Sequence, residues 1–189
     1  MSVIIPYGFT SKGGHRILLR SASPTDARAL CQLSYEVISE NDTLVATIEE
    51  LYLNEEKQKE SIYIYNNDPR SCLIVAEYNR QIIGMLTFQG GTLQKYQHHG
   101  SIGIIVKKDF RGTGVGKALL STLIEWADYN PLLEKLCLEV LASNKSAILL
   151  YKSLGFIEEG RLVNQVKLGN GRYDDLIIMG KFLDYEWHL

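Results

Sequence analysis

The stretch Phe110–Leu119, FRGTGVGKAL, alternates Gly112, Gly114 and Gly116 with Thr113 and Val115, flanks them with Arg111 and Lys117, and runs on into apolar sequence. Such residues suit an anion. The first amides of a helix lack intrahelical partners, the helix dipole favours negative charge there, and glycines remove the Cβ atoms that would hold a ligand off. The loop is therefore a candidate phosphate cradle at a helix N-terminus. A tight turn is the bland use of the same glycines. Two common nucleotide loops fail on spacing. In G-x-x-x-x-G-K-[ST], Arg111 stands where the first glycine belongs and Ala118 where the magnesium-binding hydroxyl belongs. In G-x-G-x-x-G, Gly112 and Gly114 fit, but Lys117 takes the third place.

R-x-x-G-x-G remains, as Arg111, Gly114 and Gly116. Further along, NKSAILLYKSLGF (Asn144–Phe156) has the form N-x-x-A-x-x-x-Y-x-x-x-G-F. The first stretch resembles the acyl-CoA pyrophosphate loop of the GNAT acetyltransferase superfamily, and the second resembles that family's second motif. The resemblance follows the element order from about residue 16 to 183 and is dense from Ser101 to Phe156. The segment EGRLVNQVKLGNGRYDDLIIMGKF is further similar to the C-terminal hairpin of the RimJ/RimL-like and amino-acid-acetylating branches.

The resemblance implies an acetyl-CoA-dependent N-acetyltransferase. Acetyl would pass directly to a primary amine of a small molecule or a protein N-terminus. It implies that the backbone of Ile104, Ile105 and Val106 serves the pantetheine arm and the thioester oxygen. The strand Leu136–Val140 should splay away to admit that arm. The loop Arg111, Gly112, Thr113, Gly114, Val115, Gly116 and Lys117 should hold the pyrophosphate, with Asn144 and Ala147 at the pantetheine. Tyr151 becomes the general acid for the departing thiolate, since a phenol stays protonated at neutral pH. Its other reading is a core tyrosine on the apolar stripe Ala147, Leu150, Tyr151, Leu154.

The amine must lose a proton before it attacks, because an alkyl ammonium has a pKa of about 10.4. Relatives carry an acid near the position of Ser101, and this chain does not. Glu139 on the adjacent strand is the candidate base. His98, His99 and a water chain stay open as alternatives. Tyr35, Glu36, Tyr173 and Asp174 are candidates for the acceptor pocket, each with an ordinary surface role as the alternative. Cys137 sits in an apolar strand and reads as core, which leaves no nucleophile for a covalent route. Glu77 reads as the polar face of a hairpin.

These residues need elements to position them. After a loose start, Arg16–Arg20 reads as a strand. Ser23, Pro24 and Asp26 open a helix that runs to about Glu40. Asn41–Ala46 is a connection. Thr47 with Glu50 opens a polar helix to about Tyr65, and Asn54–Glu60 is its solvated face. The runs CLIVAEY and QIIGMLTFQ join across Asn79-Arg80 as a hairpin. Ser101–Val106 is apolar on both faces, as a central strand should be. A helix follows from Gly112 to Tyr129 on the spacing of Val115, Leu119, Leu120, Leu123, Ile124 and Ala127. KLCLEVL is the next strand, Ser143–Leu154 a short helix stopped by Gly155, and two strands flanking Gly169-Asn170-Gly171 a terminal hairpin. The crossover from Ser101 to Val140 should make one parallel strand pair. The fold class is α/β, a GNAT fold: a mostly antiparallel twisted mixed sheet with one β-α-β crossover and helices on both faces.

The chain has 189 residues, 46% hydrophobic, which suits one domain over residues 1–189. A net charge of −2 gives no general attraction to nucleic acid. Cys31, Cys72 and Cys137 are odd in number and widely spaced, with neither a disulfide framework nor a metal-ligand pattern. No run reaches membrane-helix length. The chain is expected to be cytoplasmic, with no metal, nucleic-acid or membrane partner, and a homodimer stays open. Two other classes share the loop: a CoA-binding regulatory protein of this fold without turnover, and an adenine-nucleotide-binding module. The failed spacings argue against the latter.

Overall fold

The computed structural model describes residues 4–40, 54–168 and 171–183. Its strands are β1 (Tyr7–Thr10), β2 (Arg16–Ser21), β3 (Cys72–Tyr78), β4 (Gln81–Gly90), β5 (His99–Val106), β6 (Lys135–Leu141), β7 (Ile157–Lys167) and β8 (Tyr173–Phe182). The helices are α1 (Ala27–Ser39), α2 (Glu55–Asn67), α3 (Val115–Asp128) and α4 (Lys145–Ser153). The strands form one eight-stranded sheet in the order β1-β2-β3-β4-β5-β6-β8-β7. Among the described residues, only β5 and β6 pair in parallel. The helical crossover through α3 imposes this, because strands joined by a helix across one sheet run the same way.

The sheet is covered on both faces. One core cluster joins α3 and α4 to the sheet through Leu119, Leu120, Leu123, Leu136, Leu138 and Met179. The other joins α1 and α2 through Leu30, Leu33, Ile62, Leu73 and Val75. The apolar spacing of α3 is met: Val115, Leu119, Leu120, Leu123 and Ala127 are all buried. At roughly 1.5–3 kcal/mol for each fully buried large aliphatic side chain, that stripe alone fixes the helix against the sheet.

Local signals hold in detail. Ser23 N–H donates to Asp26 Oδ2 at 2.7 Å where α1 is entered. Asn79 and Arg80 take φ of 49° and 64°, the left-handed pair that a two-residue hairpin turn demands. The polar helix is the exception: Asn54 is extended and caps α2 by accepting from the amides of Glu56 and Lys57, so this helix begins at Glu55 and does not run on from Thr47. The Asn41–Ala46 connection, the Thr47/Glu50 helix start and Gly169-Asn170 lie outside the described residues.

Three expectations change. The start is not loose: β1 pairs antiparallel with β2 from Tyr7↔Leu19 to Thr10↔Arg16. Glu77 is no bare polar face. Arg20 bonds it at 2.8 Å and Asp26 at 2.7 Å, tying β2, β3 and the entry to α1 together. The stretch Ser101–Val106 is only part-buried, with Ser101 and Gly103 exposed, because β6 leaves it after its first residues.

Candidate active site

That departure makes the site. β5 and β6 pair only at His99↔Lys135, Gly100↔Leu136 and Ser101↔Cys137. Beyond this point β5 continues to Val106 paired with β4 alone, and β6 continues to Leu141 paired with β8 alone. Two strand edges with unpaired peptide groups therefore face each other across a fork that opens past Ser101 and Cys137. Such edges take an extended chain carrying amides.

The glycine loop lies where β5 ends. A short 3-10 turn, Lys108–Phe110, leads into it, and Gly112 and Gly114 take φ of 73° and 102°. Both are left-handed conformations that cost a side-chain-bearing residue. Ala118 is the first residue here whose amide finds a backbone carbonyl, that of Gly114 at 2.9 Å. Among the described residues, no acceptor takes the amides from Gly112 to Lys117, whereas the Arg111 amide bonds Lys108 O at 3.1 Å. A row of unmatched N–H groups at a helix start is a cradle for pyrophosphate oxygens, so the residues present fit the CoA diphosphate.

Two of the cations around the cradle already have partners. Arg111 donates through Nε to Val106 O at 2.9 Å and pairs with Glu40 at 2.9 Å. Lys107 pairs with Glu36 at 2.8 Å. Lys117 stays exposed. Backbone amides make the cradle, and the exposed Lys12 and Lys117 line the cleft beside it.

Asn144 is the N-cap of α4, and its Oδ1 accepts from Ala147 N–H at 3.2 Å and the Ser146 hydroxyl at 3.1 Å. What Asn144 leaves for a ligand is its Nδ2 amide. Gly116 faces α4 and β5, where a Cβ would meet Leu150 at 3.5 Å and Ile104 at 4.0 Å, both ordinary van der Waals contacts.

Strand alternation sorts the remaining side chains by face. Ile102, Ile104 and Val106 of β5 and Leu136, Leu138 and Val140 of β6 pack towards α3 and α4. Ile105 packs towards α1 and α2. Glu139 and Cys137 therefore point to the face opposite α4. Glu139 is exposed, is paired across the ladder with Ile178, and has no side-chain partner among the described residues. Tyr151 lies on the α4 face, 6% exposed, with its ring 6.0 Å from that of Phe156. Burial pushes its phenol up to about 12. Its hydroxyl bonds no described residue. Tyr151 is thus buried on the sheet face that carries α4, and the exposed Glu139 carboxylate lies on the opposite face.

Some candidates are drawn into other work. Glu36 pairs with Lys107. Asp174 accepts from Ser143 N–H at 3.2 Å and Asp175 N–H at 2.8 Å, and its bonds to Ser143 are the main cause of its lowered pKa. Tyr35 and Tyr173 stay exposed. Cys137 is not a core residue: it is half-buried, 4.0 Å from His99 Nδ1, and burial pushes its thiol up. A raised thiol pKa makes it a poor nucleophile. Burial, then the neighbouring His98 and Lys135, lowers the pKa of His99. His99 sits at the closed end of the fork, on the ladder rung of Lys135, and His98 just precedes it. Among the described residues no three His, Cys, Asp or Glu side chains are placed to hold a metal ion, and no helix is long and apolar enough to cross a membrane.

Sequence reasoning missed the turn between β1 and β2. Lys12 N–H donates to Thr113 O at 2.9 Å, inside the glycine loop. The signal was present: Gly13-Gly14 stands between the alternating runs Tyr7–Thr10 and Arg16–Ser21.

A split parallel strand pair with an amide cradle at its mouth defines the class, an acyltransferase that takes its acyl group from a CoA thioester. The chain belongs to the acetyltransferase (GNAT) family, whose model matches residues 35–156. It is an acyltransferase with acetyl-CoA as its cosubstrate. It is 27% identical over 126 residues to a spermidine N(1)-acetyltransferase of Vibrio cholerae, a match covering 65% of this chain and 70% of that one. A GNAT-family acetyltransferase from Streptococcus pneumoniae superposes with a TM-score of 0.85 at 27% identity, covering 88% of this chain and 99% of the other. A ribosomal-protein-alanine N-acetyltransferase from Brucella melitensis superposes with a TM-score of 0.77 at 26% identity, covering 87% and 99%.

Proposed function

We propose that this chain transfers acetyl directly from acetyl-CoA to a primary amine of a small molecule or a protein N-terminus. The observation that carries this reading is the fork between β5 and β6 with the open amides of Gly112 to Lys117 at its mouth. The two acceptor classes match relatives whose names specify spermidine and a ribosomal-protein alanine.

Acetyl-CoA supplies a thioester whose carbonyl carbon accepts the amine. The backbone of Ile104, Ile105 and Val106 lines the fork for the pantetheine arm. The loop from Arg111 to Lys117 holds the diphosphate, and Asn144 Nδ2 and the turn at Ala147 flank the arm. The amine approaches on the Glu139 face, because α3 and α4 fill the other. Glu139 takes the proton from the attacking nitrogen. The amine lone pair forms the C–N bond, the C–S bond breaks, and the Tyr151 hydroxyl donates its proton to the departing thiolate. A hydroxyl held neutral by burial, with no partner among the described residues, suits that donation. No covalent enzyme intermediate is needed, consistent with the raised Cys137 thiol.

The reading treats residues 1–189 as one acetyltransferase domain. It places the enzyme in the cytoplasm, with a homodimer open and no nucleic-acid or membrane partner. The test is a panel of amines with acetyl-CoA, read by release of free CoA thiol. A melt comes first. At 100 times Kd, CoA should stabilise the fold by roughly 2.7 kcal/mol, whereas ATP and NAD should not. Stabilisation by ATP or NAD without CoA sinks the acetyltransferase reading, and CoA binding without thiol release across the panel favours a regulatory protein.

A further inference from the structure

We propose that the turn Ser11–His15 between β1 and β2 is a clamp that positions the cosubstrate loop, with His15 as its positioning residue. The inference rests on the loop's holding CoA, as proposed above.

The turn is tightly made. Ser11 N–H donates to His15 O at 2.9 Å, Gly14 N–H donates to Ser11 O at 2.9 Å, and His15 N–H donates to Ser11 Oγ at 3.2 Å. Ser11 is 5% exposed, and Gly14 takes a φ of 78°. Two contacts join this turn to the loop. The first is backbone to backbone, from Lys12 N–H to Thr113 O. Thr113 is itself held by its hydroxyl, which donates to Phe110 O at 2.7 Å. The second is a three-ring cluster. The His15 ring lies 4.7 Å from Tyr78 and 5.6 Å from Phe110, and Tyr78 lies 5.5 Å from Phe110. His15 Nδ1 also shares a hydrogen bond with the Tyr78 hydroxyl at 3.1 Å. All three rings are half-buried.

Phe110 ends the 3-10 turn that launches the loop, and Thr113 sits between the two left-handed glycines. The clamp thus grips the loop just before and within the segment whose amides are open. Glycines at Gly112 and Gly114 make that segment conformationally permissive, and a Cβ at either would meet nothing within 4 Å, so local packing does not hold them. Order must come from outside. On one side Glu36 and Glu40 of the α1 end hold Lys107 and Arg111. On the other side the β1–β2 turn holds Phe110 and Thr113. Exposed ion pairs hold weakly, so the ring cluster is the firmer grip.

A loop that populates its binding arrangement about a tenth of the time binds its ligand about tenfold more weakly. His15→Ala should therefore raise the CoA Kd and the acetyl-CoA KM about tenfold, with kcat at saturation and the amine KM within about twofold of wild type. Tyr78→Phe keeps the rings and removes the hydrogen bond, so its rise should be smaller, about two- to threefold. His15→Phe, which keeps a ring, should recover most of the CoA affinity. Calorimetry with CoA, steady-state kinetics and a melt of each variant give these values. A purely structural role lowers Tm and leaves the CoA Kd of the folded variant unchanged. A CoA Kd for His15→Ala within about twofold of wild type therefore overturns the clamp. If His15→Ala does not fold, Tyr78→Phe and Phe110→Leu carry the same test, and unchanged CoA affinity in both overturns it. Failure of the wild-type chain to bind CoA overturns the acetyl-CoA reading itself and the clamp with it.

Discussion

The donor side of the fork and its acceptor side are built from different material. On the donor side the groups offered are mostly backbone: the open amides from Gly112 to Lys117, the unpaired edges of β5 and β6, and the amide of the Asn144 cap. On the acceptor side the groups are side chains, and several are already engaged. Glu36 is paired with Lys107, and Asp174 with the Ser143 and Asp175 amides. Glu139 has no side-chain partner among the described residues. A backbone cradle depends on glycine spacing and helix register and serves one shared cosubstrate. An acceptor surface of side chains can be rebuilt residue by residue without disturbing the sheet. The contrast explains why recognition of CoA is easier to read than recognition of the amine.

Substitutions can break this contrast. The largest effect should come from Tyr151→Phe, which removes the proposed proton donor without emptying the core. Its kcat should fall about 100-fold or more while the CoA Kd holds. Unchanged turnover would return Tyr151 to a packing role. The pH profile sharpens the same point. With its pKa raised by burial to about 12, the phenol stays protonated through the neutral and moderately alkaline range and is lost as donor only as pH approaches that value. The wild-type kcat should show no falling limb below about pH 10. A falling limb lower than that would assign the acid to another group.

Next comes the donor cradle. Gly114→Val forces a branched side chain into a φ of 102°, a strain of about 1–3 kcal/mol, and should weaken CoA about 10- to 100-fold by calorimetry. Equal affinity would show that the loop does not need its left-handed turn to bind. A smaller loss is expected on the acceptor side from Glu139→Gln, about tenfold in kcat at neutral pH. The deficit should shrink as pH rises towards the amine pKa of about 10.4, where the substrate arrives already deprotonated. A deficit independent of pH would remove Glu139 as the base. The smallest effects should follow Asp174→Ala and Glu36→Gln. If their carboxylates serve the fold, amine KM should move less than about threefold while Tm falls slightly. A tenfold rise in amine KM for either would restore it to the acceptor site.

Much of this was legible in the chain. Asn144 caps α4 and its Oδ1 reaches Ala147 N–H, a contact three residues long that motif spacing encodes directly. Asn79-Arg80 turned as expected, and the stripe on α3 was buried as expected. Misreadings arose where a partner lay far along the chain. Tyr7–Thr10 is too short to announce itself as a strand without β2 beside it. Glu77 shows its purpose only when Arg20 and Asp26 are brought to it. Cys137 lies in an apolar run, yet alternation turns it to the opposite face from its neighbours Leu136 and Leu138.

The sequence by itself determined the cradle, the cap and the parallel crossover, because each is closed by bonds within a few residues or forced by chain connectivity. Only the tertiary structure decided where β5 and β6 part. It also set Glu139 and Tyr151 on opposite faces of the sheet, and brought the Ser11–His15 turn against Phe110 and Thr113. Those outcomes depend on register and docking between segments far apart in the chain, whose contacts exist only once the whole sheet has assembled.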